Sequence, residues 1–360
     1  MHPELRSVFQ TKDFLFWLGL TVLAAGAWWL LGPALAPFLV GLGLAYVLNP
    51  LVVRLRFLGF NRTMATLLVI LVFFFGSGYL AYRLAPFIAQ QGADFLKALP
   101  ATVARLQAIF DAARALVEER LGMSIATGSN EVSINQLLST AVDWLTRSLT
   151  SVGATGKAVL NSIEFLIIVP FAVFYFLTDW ERLVRALQRL VPVSMRASVF
   201  SLTAEIDAML GGYFRGQALV CLFLGAFYAL ALWIIGLNYG VLIGVISGIL
   251  AFIPYLGSAT CLVLAFGFGI AQFWPDWTML ALIGGIIGVG QFIEGNFLTP
   301  LFVGRHVGLH PLTLMFGLIA LGNLYGFVGL LLSVPITGTL AIVLRRLAAQ
   351  YRASTFFRQS

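Results

Sequence analysis

Charge is what this 360-residue sequence has least of. Asp, Glu, Lys and Arg together make 10% of it, against 60% hydrophobic residues and a mean hydropathy of +0.95. Soluble domains carry about a quarter charged residues, because a compact body needs polar surface facing water. A water-soluble fold is therefore excluded, and so is a disordered chain, since apolar mass is abundant. There are two cysteines. Cys221 and Cys261 both sit in apolar stretches, where a thiol behaves as a small hydrophobe, and they cannot staple a scaffold. His306 and His310 are spaced for one helix face, but Gly308 and Pro311 disturb a helix there and no Cys or Asp joins them, so no metal is expected. The sequence has no glycine-rich phosphate loop, no His-Glu-x-x-His string and no credible Ser-His pair. ATP-driven pumping and intramembrane hydrolysis lose their support, and neither an enzyme nor a cofactor is expected.

What is present is a series of apolar runs, continuous for about eighteen residues or more. Strands of a membrane barrel would alternate over about ten positions. The expected fold is all-α: a polytopic helical membrane protein of about eight membrane elements, with amphipathic helices outside the bilayer. The net charge of +7 does not point to nucleic acid, because the basic residues lie at the ends of apolar runs and read as topology signals.

Residues 1–84 are expected to hold three membrane helices, Phe14 to Leu31, Ala34 to Val53 and Met64 to Leu84. The first resembles a leader peptide but reads better as one arm of a retained hairpin. Arg54, Arg56 and Arg62 at a short connection place it, with the N-terminus, in the cytoplasm. Residues 85–157 then form an extracytoplasmic amphipathic segment, with one face at Val103, Leu106, Ile109, Phe110, Leu116 and Val117 and a capping box at Ser133 and Gln136. Residues 158–178 are a fourth membrane helix and 179–216 cytoplasmic amphipathic helices. In the latter, Met195, Val199, Leu202, Ile206, Met209 and Tyr213 form a packing seam, toward the same chain or another subunit. Asn49-Pro50 reads as a helix stop, and Glu164 as an interfacial acid.

Residues 217–344 are the expected transport core, followed by a cytoplasmic tail, 345–360. Normal spans run from Gln217 to Gly236 and from Thr278 to Phe297. The stretches 239–274 and 311–344 are too long for one span and short for two. The first is broken at Phe252-Ile253-Pro254-Tyr255-Leu256-Gly257-Ser258, the second at Gly322-Asn323-Leu324-Tyr325-Gly326. Two re-entrant or tight helical hairpins fit. Span, hairpin, span, hairpin is an inverted repeat, the construction in which secondary transporters form a midplane site from broken helices, so the two tips are expected to approach each other around a solute pathway.

Between Arg215 and Arg305 the only formally charged residues are Asp276 and Glu294. A carboxyl at lipid depth costs about 2.5–3.5 kcal/mol on insertion scales, and such a cost suggests use. Glu294 and Gln291 share a helical face and, with Asn296 and Thr299, are candidates for coupling or gating through a proton or a cation. Structural roles stay open: Glu294 reaching the interface or pairing with Arg305, and the glycines and prolines serving close helix packing. Pro254, Tyr255, Gly257, Ser258, Asn323 and Tyr325 are candidates for the solute path.

The strings Phe252-Ile253-Pro254-Tyr255-Leu256-Gly257, Gln291-x-x-Glu294-x-Asn296-x-Leu298-x-Pro300, Gly304-Arg305-x-Val307-Gly308-Leu309-His310-Pro311 and Gly326-x-x-Gly329-x-x-Leu332-x-Val334-Pro335 resemble, in that order, the signature of the autoinducer-2 exporter family. Ser258 and Ser333 depart from its usual Pro and Ala. The resemblance covers essentially the whole chain. It implies a multi-pass homo-oligomer in the bacterial inner membrane; the basic clusters at Arg54–Arg62 and Arg345–Arg358 place both termini in the cytoplasm. The activities it implies are export of the quorum-sensing furanone autoinducer-2 or, in some members, sodium (or lithium)/proton antiport. The leading expectation is an exporter or facilitator of a small polar solute. Sodium/proton antiport and a non-transporting membrane scaffold are the alternatives.

Overall fold

The computed structural model describes residues 37–121, 163–189, 196–304 and 310–353, with the isolated positions 19, 26, 191 and 193. The described elements are all helical. They are α1 (Pro37–Phe57), α2 (Arg62–Leu121), α3 (Ile163–Arg189), α4 (Arg196–Ile234), α5 (Gly240–Leu250), α6 (Leu256–Phe273), α7 (Trp277–Ile293), a π-helical segment (Glu294–Gly304) and α8 (Pro311–Ala353), which folds back at Gly326. Six stretches are long and apolar enough to cross a bilayer: Pro37–Phe57, Arg62–Leu84, one within α4, Leu256–Phe273, Trp277–Leu298 and Gly329–Ala349. Ile167–Trp180, Gly240–Leu250 and Leu312–Gly326 are shorter apolar helices. The molecule is a polytopic helical membrane protein whose outer faces are apolar: Phe75, Leu222 and Phe316 are each more than 70% exposed.

The first apolar run, the capping box at Ser133, and Met195 of the seam lie outside the described residues. Helix α1 does not stop at Asn49-Pro50 but continues to Phe57. Pro50 withholds only the hydrogen bond that the Tyr46 carbonyl would have received. The turn after α1 closes on Gly59, at φ 96°, with Gly59 N–H donating to the Arg56 carbonyl at 3.0 Å. Helix α2 continues past Leu84 for a total of 60 residues, about 90 Å. The hydrocarbon core is about 30 Å thick, so most of α2 extends beyond one membrane span. Its buried contacts there are Phe95 and Leu99, whereas Phe110 and Leu116 are about half exposed.

Helix α4 is the axis of the molecule. At 39 residues it is about 58 Å long and carries two packing zones. Residues 196–216, expected as a separate cytoplasmic layer, form its first half and pack on α1: a Cβ at Gly43 would lie 2.8 Å from the Phe214 ring. Helices α1, α2 and α3 share a core through Leu48, Val52, Val69, Val173 and Leu177. Met209 and Tyr213 of the seam pack within the chain: a Cβ at Gly338 of α8 would lie 2.9 Å from Met209 Cε, and Tyr213 is in a core cluster with Val334. The second half of α4 builds the main core with α5, α6 and α7 through Leu224, Leu232, Ile243, Leu264 and Ile287.

Helix α5 runs back along α4 on a stripe of three glycines. Gly240 lies against Leu232, Gly244 against Ala229 and Gly248 against Gly225. Only hydrogen at these positions lets the backbones meet. Helices α5 and α6 close at their base. Asn238 N–H donates to Gln272 Oε1 (2.8 Å) and Gln272 Nε2 donates to the Gly236 carbonyl (2.9 Å). Helix α8 is a second folded pair, with Gly317 against Thr337 and Gly329 against Leu321, turning at Gly326 with φ 58° and ψ −136°.

Candidate functional site

Of the two acids in the near-chargeless half, Asp276 is accounted for by the fold. It caps α7, its carboxylate accepting from Thr278 N–H at 2.9 Å and Met279 N–H at 3.3 Å. Glu294 is left, half-buried where α7 passes into the π-helical segment. Gln291 Nε2 donates to Glu294 Oε2 at 3.2 Å, as the i, i+3 spacing leads one to expect. Pro300 has no N–H for the Asn296 carbonyl, and Gly295 tolerates the altered backbone, so winding loosens here. π-Helical turns are rare and are found frequently at functional sites. Asn296 turns inward on its own helix, Nδ2 donating to the Phe292 carbonyl at 3.0 Å. The Thr299 side chain lies outside the described residues.

The first hairpin tip is one compact turn. Tyr255 adopts the left-handed conformation at φ 67°, and Ser258 Oγ donates to its carbonyl at 3.2 Å. Gly257 presses on Ala251, where a Cβ would lie 2.5 Å from Ala251 Cα, so this glycine has a packing role. Pro254 and Ser258 are half-buried, and Tyr255 is 60% exposed. The tip docks on α4: Tyr213 hydroxyl donates to the Phe252 carbonyl at 3.2 Å, and Gln217 Nε2 to the Ala251 carbonyl at 2.5 Å. At the second tip Asn323 is exposed, Tyr325 half-buried, and Gly322 faces Leu330 of the opposite arm. The first tip's hydrogen bonds thus run to α4, its Phe252 joins a cluster with Tyr213, Phe214 and the α8 residues Leu314 and Val334, and Gly322 at the second tip packs on its own arm.

One stripe of α4 joins two of these breaks. Tyr213, Gln217, Cys221 and Tyr228 recur at helical intervals on one face. Tyr213 and Gln217 hold the tip, Cys221 lies within electrostatic reach of Glu294, and the Tyr228 hydroxyl faces Gly290 beside Gln291. The Tyr228 hydroxyl lies beside the Gln291 side chain, and Ser247 Oγ beside the Cys261 thiol, polar groups within an otherwise apolar core. Sequence reasoning passed over this stripe, although Gln217 and Tyr228 are polar groups at helical spacing within an apolar run.

A second polar locus lies on the first half of α4. Tyr46 hydroxyl donates to Asp207 Oδ1 at 2.6 Å, and its ring stacks on Phe214 and meets Trp180 edge-on. Asn49, Tyr46, Trp180 and Asp207 line a cavity of about 310 Å³. Nothing in the spacing of these residues announces the pair, which is 161 positions apart. His310, considered as a metal ligand, accepts the Leu312 N–H at Nδ1 (3.3 Å) and caps α8, while His306 lies outside the described residues.

Comparison with known proteins agrees with the fold. The model of the AI-2E family transporter matches residues 18–349. The chain is 28% identical to YrrI of Bacillus subtilis (strain 168) over 330 residues, 88% of this chain and 87% of the relative. It is 27% identical to PerM of Escherichia coli (strain K12) over 345 residues, 94% of each. YueF of Bacillus subtilis is 29% identical over 83% of this chain and 80% of its own length. The names of these relatives assign them provisionally as transport proteins or, for PerM, a permease.

Proposed function

The chain belongs to the AI-2E family of transporters, and on that premise we propose that it exports, or lets through, a small polar solute such as the furanone autoinducer-2. The path in this reading follows the Tyr213–Tyr228 stripe of α4, between the first hairpin tip and the Glu294 segment. The observation that carries it is the conjunction of two helix breaks on one polar face of α4, held by Tyr213 and Gln217 on one side and bordered by Gln291 and Glu294 on the other. Irregular backbone at membrane depth is tolerated only where protein or a water-filled cavity satisfies it. Hydroxyls and amides along the face offer a polyol-like solute replacements for its water. Glu294 then serves coupling or gating, and Tyr255, Ser258, Asn323 and Tyr325 serve the mouth of the path.

The test is flux in proteoliposomes of the purified full chain. Labelled autoinducer-2 should equilibrate faster than in empty vesicles, and Glu294→Gln should slow it by about tenfold, the equivalent of about 1.4 kcal/mol. Proton movement driven by a sodium gradient and lost in the variant would replace this reading with antiport. Absence of all flux would leave a membrane scaffold.

A further inference from the structure

Beyond the solute path, the arginine-rich end of the bundle carries a site of its own. Helix α1 carries Arg56 in its last turn, and the Gly59 turn returns the chain at Asn61 to start α2 with Arg62 and Thr63. The last turns of α3 bring Arg182 and Arg185 alongside. These residues line a cavity of about 530 Å³, and the described side chains around it include four arginines and Asp179. Asp179 is engaged locally, accepting from Arg182 Nη1 at 3.1 Å, while the Thr178 hydroxyl donates to the Phe174 carbonyl at 2.8 Å. Arg62 is fixed by its Nε, which donates to the Leu177 carbonyl at 2.8 Å and so ties the start of α2 to α3. The cavity is therefore framed by rigid elements and gathers four guanidinium groups along its described lining.

We propose that this cavity binds a phosphate-bearing anion, the headgroup of an anionic phospholipid. Guanidinium groups match phosphate oxygens in paired geometry, and the Asn61 and Thr63 side chains add polar partners at the rim. A lipid is favoured over free phosphate by the surface next to the cavity. Phe57 is 86% exposed, Leu58 74% and Met64 61%. A lipid seated with its phosphate on the arginines would lay its acyl chains over these side chains. Basic pockets between membrane helices on the cytoplasmic side bind such headgroups, and the sequence places this connection in the cytoplasm.

The experiment is native mass spectrometry of the full-length protein in detergent, offered equal amounts of phosphatidylglycerol and phosphatidylcholine. Wild type should retain phosphatidylglycerol about tenfold better, and the preference should shrink with added salt. The Arg56→Gln/Arg185→Gln double variant should lose it, while Arg105→Gln, on the far part of α2, should not. Equal retention of the two lipids by wild type would overturn the proposal, as would an undiminished preference in the double variant. Should the double variant fail to fold, Arg182→Gln, whose side chain is 81% exposed, takes its place with the same expectation. Millimolar inorganic phosphate is the second arm. Failure to displace phosphatidylglycerol supports the lipid, and full displacement with equal thermal stabilisation in its absence overturns the lipid in favour of a free anion.

Discussion

Replacing Gly244 by alanine isolates the contact on which the first hairpin depends. A Cβ at Gly244 would meet the backbone of Ala229 and lie 2.7 Å from the Tyr228 carbonyl carbon. Carbon atoms in contact sit about 3.5–4.0 Å apart, so α4 and α5 must part by about 1 Å. The obstructing atoms are backbone, and no side chain can swing aside. Overpacking of this kind costs about 1–3 kcal/mol, while alanine in place of glycine within a helix returns about 0.5–1 kcal/mol. The net expectation is a loss of about 1–2 kcal/mol. Gly288 in α7 is the matched control, because a Cβ there meets nothing within 4 Å. Gly288→Ala should be neutral or slightly stabilising. Reversible unfolding in mixed micelles, titrated with dodecyl sulfate and followed by tryptophan fluorescence, reads both midpoints. Parting α5 from α4 also draws Ala251 away from Gln217, so solute flux should fall in Gly244→Ala and stay normal in Gly288→Ala. If both variants shift the same way, or Gly244→Ala unfolds like wild type, the close approach of α4 and α5 is refuted.

Gln217→Leu removes the donor to the Ala251 carbonyl and should cost about 0.6–1.7 kcal/mol, the range for side-chain hydrogen bonds between membrane helices. The same unfolding titration measures it, and flux should fall further than stability does if the tip lines the path. Tyr46→Phe removes the hydroxyl that binds Asp207 and should cost about 1 kcal/mol, with an unchanged value showing that water replaces the bond freely. Tyr255→Gly relieves a left-handed backbone at a non-glycine residue, worth about 1 kcal/mol. It should therefore raise the unfolding midpoint while lowering flux, and a lower midpoint would show that the Tyr255 ring supports the turn.

Much of this architecture is legible in the amino-acid string because lipid imposes simple rules on it. Apolar runs mark the membrane elements, and the Gly and Pro clusters at 252–258 and 322–326 mark the folds between arms. The length of α2 is not legible in that way. Hydropathy falls after Leu84, but the Ala-rich stretch that follows keeps helix propensity, so the helix outlasts the apolar signal. For the same reason 179–216 reads as a separate layer, whereas Arg196 to Ile234 is a single helix with a polar first half. At the site, Glu294 and Gln291 are found by scarcity of charge and helical spacing. Tyr46 with Asp207, and Tyr213 with the Phe252 carbonyl, are contacts between distant positions, and only the packing of α1, α4 and α5 brings them together.

The two broken stretches share an asymmetry that bears on how deep their tips lie. Each pairs a short arm with a longer one: Gly240–Leu250 with Leu256–Phe273, and Leu312–Gly326 with Gly329–Ala349. The short arms are about 16 Å and about 22 Å long, less than the hydrocarbon thickness of about 30 Å. The first tip docks at Gln217, two residues from Arg215, and Asp207, which shares a cavity with Arg56 and Arg62, lies about 15 Å further along α4 toward Arg196. Arg56, Arg62 and Arg185 gather at that same end. The hairpin starts from the Gly236 end of α4, opposite Arg196, where Gln272 closes its base, so the tip is reached from the face away from Arg196. Ser258→Cys, in a chain with Cys221 and Cys261 replaced by alanine, should therefore react with a membrane-impermeant maleimide from the face opposite the arginines or through an aqueous cavity. Reaction only from the arginine-rich face would place the tip in that aqueous phase and turn residues 239–274 into two complete spans.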